Sequence, residues 1–95
     1  MPAEPPPEVR AMQEQAARDA QLMQFVRERG RRLLAMRPDQ HYTRVLKALG
    51  QPDYRQVRRG STVMDSEEYW YYILPNGQTA QLCFEGTMMR QLNTY

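Results

Sequence analysis

The stretch that most constrains the fold of this chain is residues 68–86, which read as two strands joined by a tight turn. Residues 69–74 are aromatic and aliphatic, residues 80–84 form a second apolar run, and Asn76-Gly77 lies between them. Asparagine and glycine both tolerate the positive φ values of a hairpin turn. The sequence therefore predicts an antiparallel β-hairpin to which the rest of the chain is fitted.

A two-residue turn at Asn76-Gly77 would fix the register of this hairpin. One face would then hold three cross-strand pairs: Ile73 with Ala80, Tyr71 with Leu82, and Tyr69 with Phe84. The other face would hold Trp70, Tyr72 and Leu74 with Thr79, Gln81 and Cys83. A slip of one residue would exchange the two faces, so the assignment depends on the turn.

Trp70, Tyr72 and Leu74 are the predicted partner-binding residues. Tryptophan and tyrosine combine a large apolar area with a polar group at low entropic cost, and they dominate many protein interfaces. The alternative is that this face is the core and that Tyr69 and Tyr71 point outward.

Further strands are expected on either side of the hairpin. Glu85-Gly86 predicts a second tight turn, after which residues 88–93 return as a third strand. Residues 54–59 alternate weakly and form either a fourth, edge strand or an ordered loop. Residues 60–66 read as a surface loop.

The first helix is predicted over residues 8–29, which contain neither glycine nor proline. One interpretation packs its second half on the sheet through Phe25, Val26, Leu33 and Leu34. The other is a weak homodimer seam, because apolar residues fall at heptad positions although Asp19 and Gly30 interrupt the series. The seam residues are Val9, Met12, Ala16, Met23, Val26 and Leu33.

A second, shorter helix follows Pro38, with Asp39 as its predicted cap. Gly50 stands where a left-handed C-terminal residue belongs, and Pro52 prevents continuation. His41 lies in the first turn without a carboxylate or cysteine partner, which favours a surface or cap role over a ligand or base. The apolar stripe of this helix is Tyr42, Val45, Leu46 and Leu49.

These elements predict an α+β fold, with two helices on one face of a three-stranded antiparallel meander. Residues 1–7 hold four prolines and predict a disordered, extended arm. Residues 8–35 form the N-terminal helix region and residues 36–95 the second helix and the sheet. Residues 8–95 are expected to be a single domain.

Composition narrows the function classes. The chain has 95 residues and a net charge of only +2, so it has no large field with which to gather phosphates. One cysteine, Cys83, and one histidine, His41, cannot complete a zinc site, and no metal or cofactor is expected. Cys83 is interpreted as a small apolar filler. No apolar run is long enough for a membrane helix, and an export leader would have to precede Met1.

Four arginines make the one basic cluster: Arg27, Arg29, Arg31 and Arg32. They suit the negative end of a helix dipole and solvation of its last turn. The alternative is phosphate binding, although no aromatic residues interleave the cluster as they do in many nucleic-acid sites.

No pattern indicates catalysis. Glu67 and Glu68 are adjacent and would point to opposite faces of the sheet, so the two carboxylates could not form one acid–base site. No nucleophile triad, P-loop or glycine-rich dinucleotide turn is present. We therefore expect a non-enzymatic protein.

The order of elements and three motifs resemble the SmpA/OmlA family, the small BamE-like lipoproteins of bacterial outer-membrane protein assembly. The resemblance covers about residues 36–93 and rests on the segments 45–53, 69–72 and 82–86. It implies a two-layer α+β fold like that of β-lactamase inhibitor proteins, and binding of other proteins. The chain departs from the family in its cysteine, which lies in a predicted strand, in the insert around Pro38 and in its longer first helix.

The sequence thus predicts a protein-binding module, monomeric or weakly dimeric, that contacts an unidentified protein. The resemblance implies association with the cell envelope if an export leader exists, and a cytoplasmic location otherwise. The alternative is a small cytoplasmic nucleic-acid-binding or regulatory protein that uses the cluster from Arg27 to Arg32.

Overall fold

The computed structural model describes residues 5–58 and 67–95. Within these ranges the chain forms an α+β fold, as the sequence predicts, with three helices and a five-stranded antiparallel sheet. None of these helices has the length and apolar character needed to cross a membrane. The helices are α1 (Pro7–Arg18), α2 (Ala20–Leu33) and α3 (Tyr42–Leu49). The strands are β1 (Gln40–His41), β2 (Tyr54–Arg58), β3 (Glu67–Ile73), β4 (Thr79–Glu85) and β5 (Met88–Thr94).

The strand order is β1-β5-β4-β3-β2. The predicted third strand is confirmed as β5, and the predicted edge strand is confirmed as β2 up to Arg58. The short strand β1 was not predicted; it pairs only with Met88 and Met89 of β5. Residues 1–4 of the predicted arm, position 59 and the predicted loop at 60–66 lie outside the described residues.

The predicted hairpin register is wrong by one residue. Tyr72, not Ile73, lies opposite Ala80, and the hairpin closes with a hydrogen bond from Leu74 N to Gln78 O of 2.9 Å. A two-residue turn would need Pro75 as a closing residue, but proline has no N–H to donate. Pro75 instead opens a 3-10 turn, Pro75–Gly77, in which Asn76 and Gly77 adopt the expected positive φ values of 64° and 73°.

The corrected register gives the sheet two covered faces. The first, here called the α3 face, packs Trp70, Tyr72 and Leu74 with Leu82 and Phe84 against α3 and the end of α2. The second, the α1 face, packs side chains of β3 against α1 and the middle of α2. Its buried members are Val9, Ala16, Val26, Tyr71 and Ile73. Helices therefore cover both faces rather than the one face predicted.

The single helix predicted over residues 8–29 is two helices. Asp19 has extended backbone angles, and its carboxylate accepts hydrogen bonds from the N–H groups of Gln21 and Leu22 at 3.0 and 3.1 Å. Aspartate competes in this way with the helical backbone, and it starts helices better than it continues them. The break folds α1 against α2, and the seam residues Val9, Ala16 and Val26 contact the sheet of their own chain. A continuous dimer seam is therefore wrong.

Helix α1 is also fixed to the hairpin turn. The side-chain amide of Gln13 donates to Gln78 O at 2.9 Å and to the hydroxyl of Thr79. These contacts join residues that are more than sixty positions apart in the chain.

Helix α2 passes over the end of the hairpin. Val26 packs on the α1 face and Leu33 on the α3 face, so the helix connects the two clusters. Gly30 does not end the helix, which continues to Leu33. A Cβ at Gly30 would lie 3.6 Å from Pro75 Cδ and 4.0 Å from Leu74 Cδ2. The glycine thus lies at the contact between helix and turn.

Helix α3 is correctly predicted apart from its cap. His41, not Asp39, is the N-cap, and its ring nitrogen Nδ1 accepts from Thr43 N at 3.2 Å. Asp39 has a positive φ of 66° and pairs with Arg90 at 2.6 Å. Gly50 follows the helix with the expected positive φ of 78°, but its ψ of −166° lies outside the predicted left-handed helical region and in one that essentially only glycine adopts.

Candidate functional site

The three predicted partner-binding side chains lie in the core. Trp70, Tyr72 and Leu74 are only 5%, 0% and 8% exposed. The register places them on the α3 face, where α3 and the end of α2 cover them. The predicted contact surface is therefore wrong, and the structure supports the first half of the alternative, that these residues are core. Its second half, that Tyr69 and Tyr71 point outward, is wrong, because Tyr71 is 2% exposed and Tyr69 packs against the same cluster on the α1 face.

Trp70 keeps one edge near a surface cavity of about 330 Å³ between the sheet and the start of α3. Its indole N–H donates to Glu68 Oε1 at 2.8 Å, and the same carboxylate pairs with Arg55. The guanidinium of Arg55 lies 5.6 Å from the centre of the indole ring. The polar edge of Trp70 therefore has its partners within the chain.

The basic cluster is divided by the turn of helix α2. Arg29 is 5% exposed, whereas Arg27, Arg31 and Arg32 are exposed. A helix advances by about 100° per residue, so four arginines within six positions cannot share one side. The predicted phosphate site of four arginines is therefore not assembled.

Arg29 is the centre of an internal ion pair. Its Nη1 lies 2.5 Å from Oδ2 of Asp53, its Nη2 3.3 Å from Oδ1, and Nη1 also donates to Ile73 O at 3.3 Å. Asp53 Oδ2 accepts a further bond from Ile73 N at 2.8 Å. The guanidinium also lies 4.8 Å from the centre of the Phe25 ring and 5.2 Å from that of Tyr72. Arg29 therefore ties α2 to the sheet and is not available to a phosphate.

Burial raises the pKa of the Tyr72 hydroxyl well above its ordinary value, and the nearby Arg29 charge opposes that shift. The hydroxyl donates to Gly50 O at 2.8 Å. Tyr72 is thus a neutral hydrogen-bond donor inside the α3 face.

The α1 face carries a network of polar side chains. Gln81 is fully buried, and its amide nitrogen donates to the Tyr71 hydroxyl at 3.0 Å. Burial raises the pKa of Tyr71, although the Gln81 hydrogen bond lowers it in part, and burial also raises the pKa of the Cys83 thiol. A buried thiol with a raised pKa is a poor nucleophile. Cys83 is buried as expected for a filler, although its Sγ donates to Gln81 Oε1 at 3.7 Å and accepts from Asn93 Nδ2 at 3.9 Å, so its surroundings are partly polar.

A groove lies between α2 and the hairpin turn. We call it the α2–turn groove, and its volume is about 450 Å³. Its lining is mainly apolar, with exposed arginines along the helix. The lining residues are Arg27, Gly30, Arg31, Leu33, Leu34, Leu74, Pro75, Asn76, Gln78 and Thr94.

Leu34 is the most unusual residue of this groove, because its side chain is 80% exposed. The sequence predicts that Phe25 and Leu34 pack on the sheet, and this is wrong for both, since Phe25 is 54% exposed. Leu33 takes the core position next to Leu34. Helical geometry leaves Leu34 on the same side of α2 as Arg27 and Arg31, at spacings of seven and three residues.

The electrostatic character of the groove is basic. Arg31 pairs with Glu28 at 3.3 Å, and both side chains are exposed, so this pair contributes little and is easily replaced. No aspartate or glutamate belongs to the described lining. The groove therefore combines apolar surface with two exposed arginines, of which Arg31 has an exposed glutamate partner.

A second basic groove, of about 510 Å³, lies between the end of α2 and α3. Here Arg32 is joined by Arg44 and Lys47, around a floor that includes Met36. The sequence does not predict this group, because Arg44 and Lys47 lie outside the basic cluster. The feature that could have indicated it is the spacing of Arg44 and Lys47, which are three residues apart and therefore lie on one side of α3.

Only the helix side of the α2–turn groove can be predicted from the sequence. The spacing of Arg27, Arg31 and Leu34 is visible in the sequence, but the wall formed by Leu74 and Pro75 depends on the hairpin register. Among the described residues, no group of histidine, cysteine, aspartate and glutamate side chains could hold a metal ion.

Comparison of the chain with protein-family models, with curated proteins and with solved structures found no match. The proposals below therefore depend on the geometry of this chain and on the resemblance stated above.

Proposed function

We propose that this protein is a non-enzymatic protein-binding module, and that the α2–turn groove holds an acidic segment of a partner that also carries apolar side chains. The observation that carries the proposal is the exposed Leu34 beside an apolar wall and two exposed arginines. A leucine exposed alone on a surface is common, but here it adjoins a concave apolar surface.

The contact can contribute a measurable part of the binding free energy. Full burial of a leucine side chain contributes roughly 1.5–3 kcal/mol. Arginine is also enriched among the residues that dominate interface energies, because its planar guanidinium binds carboxylates through two parallel hydrogen bonds. Leu34, Arg27 and Arg31 are therefore the proposed binding residues.

The resemblance to the SmpA/OmlA family supports the same class of function, since that family binds other proteins. It adds the proposal that the module serves in the cell envelope as an accessory protein of outer-membrane assembly. The helix side of the groove, residues 27–34, lies outside the range 36–93 that the resemblance covers. The resemblance therefore supports the class of function, whereas the groove is proposed from the geometry of this chain alone.

A second candidate function is phosphate or nucleic-acid binding at Arg32, Arg44 and Lys47. The observation that favours it is the convergence of these three cations on one groove from two helices. Binding of this kind falls steeply as the salt concentration rises.

The test is selection of short random peptides displayed on phage against the immobilised protein. We expect enrichment of peptides that combine aspartate or glutamate with leucine, isoleucine or valine. A synthetic peptide with the most enriched sequence should bind Leu34→Ser roughly 10- to 100-fold more weakly, as loss of most of one buried leucine predicts. Absence of acidic binders, or equal binding by Leu34→Ser, would refute the proposal.

Two adjacent arginines provide the matched control. Arg31 lines the α2–turn groove and Arg32 lines the second basic groove. Arg31→Gln should weaken binding of the acidic peptide, and Arg32→Gln should leave that binding unchanged. If the second candidate is correct, Arg32→Gln instead weakens binding of single-stranded DNA or RNA at low salt, and Arg31→Gln does not.

A further inference from the structure

The outer edge of strand β5 has no strand partner over most of its length within the described chain. Strand β1 covers only Met88 and Met89, so the edge from Arg90 to Thr94 is open. An open edge presents backbone N–H and C=O groups to which another chain can add a strand.

The direction of these backbone groups follows from the pairing with β4. Tyr95 and Thr79 exchange both N–H···O bonds, each at 2.9 Å. In an antiparallel pair such bonded positions alternate with positions whose groups point the other way. The register of β4 and β5 therefore directs the N–H and C=O groups of Leu92 and Thr94 outward.

The open edge adjoins the α2–turn groove, because Thr94 belongs to both. The side chain of Leu92 packs against the cluster on the α3 face, and this places the edge beside the end of α2. A strand added at Leu92 and Thr94 would run along the groove, and its alternate side chains would point toward the groove side of the sheet.

We propose that the partner segment binds as an extended strand added to the open edge of β5, with its backbone paired to Leu92 and Thr94. Its apolar side chains contact Leu34, and its carboxylates pair with Arg27 and Arg31. This inference rests on the function proposed above and specifies the conformation of the bound segment.

Charge decides against a second copy of this chain as the occupant. Two copies joined edge to edge would bring the groove arginines Arg27 and Arg31 of both copies toward one interface. Arg90 at the open edge is paired with Asp39 at 2.6 Å and adds little net charge there. An acidic strand relieves this accumulation of positive charge, whereas a second copy increases it.

The test uses the acidic peptide obtained by the selection described above. Thr94→Pro removes one outward N–H but keeps the bonds of Tyr95 to β4, and proline is tolerated at an edge where the N–H faces solvent. We expect at least tenfold weaker binding for Thr94→Pro, a change of about 1.4 kcal/mol or more. Thr94→Val, which keeps the N–H and the shape of the side chain, should bind within about twofold of the unchanged protein. Circular dichroism verifies that both variants fold.

Amide hydrogen exchange provides a second measurement that needs no variant. The N–H groups of Leu92 and Thr94 should exchange more slowly when the peptide is bound, as expected for backbone groups that become paired. Equal exchange with and without peptide, or full binding by folded Thr94→Pro, would overturn the inference.

The outcomes separate the two proposals. If Leu34→Ser weakens binding of the peptide and Thr94→Pro does not, the groove binds a partner that is not an added strand. In that case only this inference fails. If no acidic peptide is selected, or Leu34→Ser binds equally, both fail. Sedimentation that reveals a dimer of the peptide-free protein, abolished by Thr94→Pro, would assign the edge to a second copy and overturn the inference.

Discussion

The two sides of helix α2 use the same residue types for different purposes. The inner side, with Val26, Arg29 and Leu33, lies against the sheet and is buried. The groove side, with Arg27, Arg31 and Leu34, is exposed and lines the α2–turn groove. An arginine and a leucine occur on each side, so the comparison is nearly matched in chemistry.

The difference shows that a run of like charge in a sequence is not a functional unit when it lies in a helix. The buried Arg29 has carboxylate, carbonyl and aromatic neighbours, whereas Arg27 has an open groove. Stability should therefore depend on the inner side and binding on the groove side. Two matched pairs of substitutions test this separation, and two further substitutions test contacts that α2 makes with the sheet and the turn.

Arg29→Met should produce the largest loss of stability. It removes the bonds to Asp53 and Ile73 O and leaves a partly buried carboxylate without its cation, which costs about 3 kcal/mol. Arg27→Met, two positions away, should change the free energy of unfolding by less than about 0.5 kcal/mol. Urea unfolding followed by Trp70 fluorescence measures both, and equal losses would contradict the distinction.

The adjacent leucines should also differ. Leu33→Ala removes methyl groups from the buried cluster and should cost about 2 kcal/mol, near the lower limit for buried leucines because Leu33 lies at its margin. Leu34→Ala should cost less than about 0.5 kcal/mol, since its side chain makes few contacts in the free chain. Thermal unfolding compares the two variants. A large loss for Leu34→Ala would mean that this residue supports the fold.

Tyr72, a β3 residue next to Arg29 of the inner side, should make the free energy of unfolding depend on pH. Its raised pKa means that the folded chain holds the phenolic proton more tightly than the unfolded chain, so this stability is present at neutral pH and is lost as pH rises above about 10. Tyr72→Phe removes the hydrogen bond to Gly50 O and should lower the free energy of unfolding by about 1 kcal/mol at neutral pH. The difference between the two proteins should then shrink in alkaline solution. A difference that stays constant from neutral to alkaline pH would disprove this role.

Gly30→Ala should have the smallest effect, and it should stabilise the protein. The added methyl group would meet Pro75 and Leu74 at ordinary contact distances, and alanine favours the helix over glycine. We expect a gain of about 0.5–1 kcal/mol in denaturant unfolding. Destabilisation would mean that α2 and the turn lie closer together than described.

The parts of the fold predicted correctly are those that local chemistry determines. The aromatic and aliphatic run at residues 69–74 and the Asn76-Gly77 pair predict the hairpin, and the stripe from Tyr42 to Leu49 followed by Gly50 predicts α3. In each case the signal and the structure lie within a few residues of one another.

The parts predicted wrongly depend on a competition between local signals. Pro75 and Asn76-Gly77 both favour a turn, and the missing N–H of Pro75 decides the register by one residue. Asp19 lies in a run of helix formers, yet its side-chain bonds to the next turn end one helix and begin another. The buried position of Trp70 and the groove beside Leu34 both follow from these two outcomes.

The contacts of Gln13 with the hairpin turn bear on the order in which the chain assembles. A hairpin closed by a three-residue turn forms in microseconds, whereas docking α1 requires closure of a loop of more than sixty residues. Helix α1 should therefore dock after the sheet has formed. We also expect α1 to detach by local unfolding while the strands stay paired, and the α1 face would then be covered only by the middle of α2.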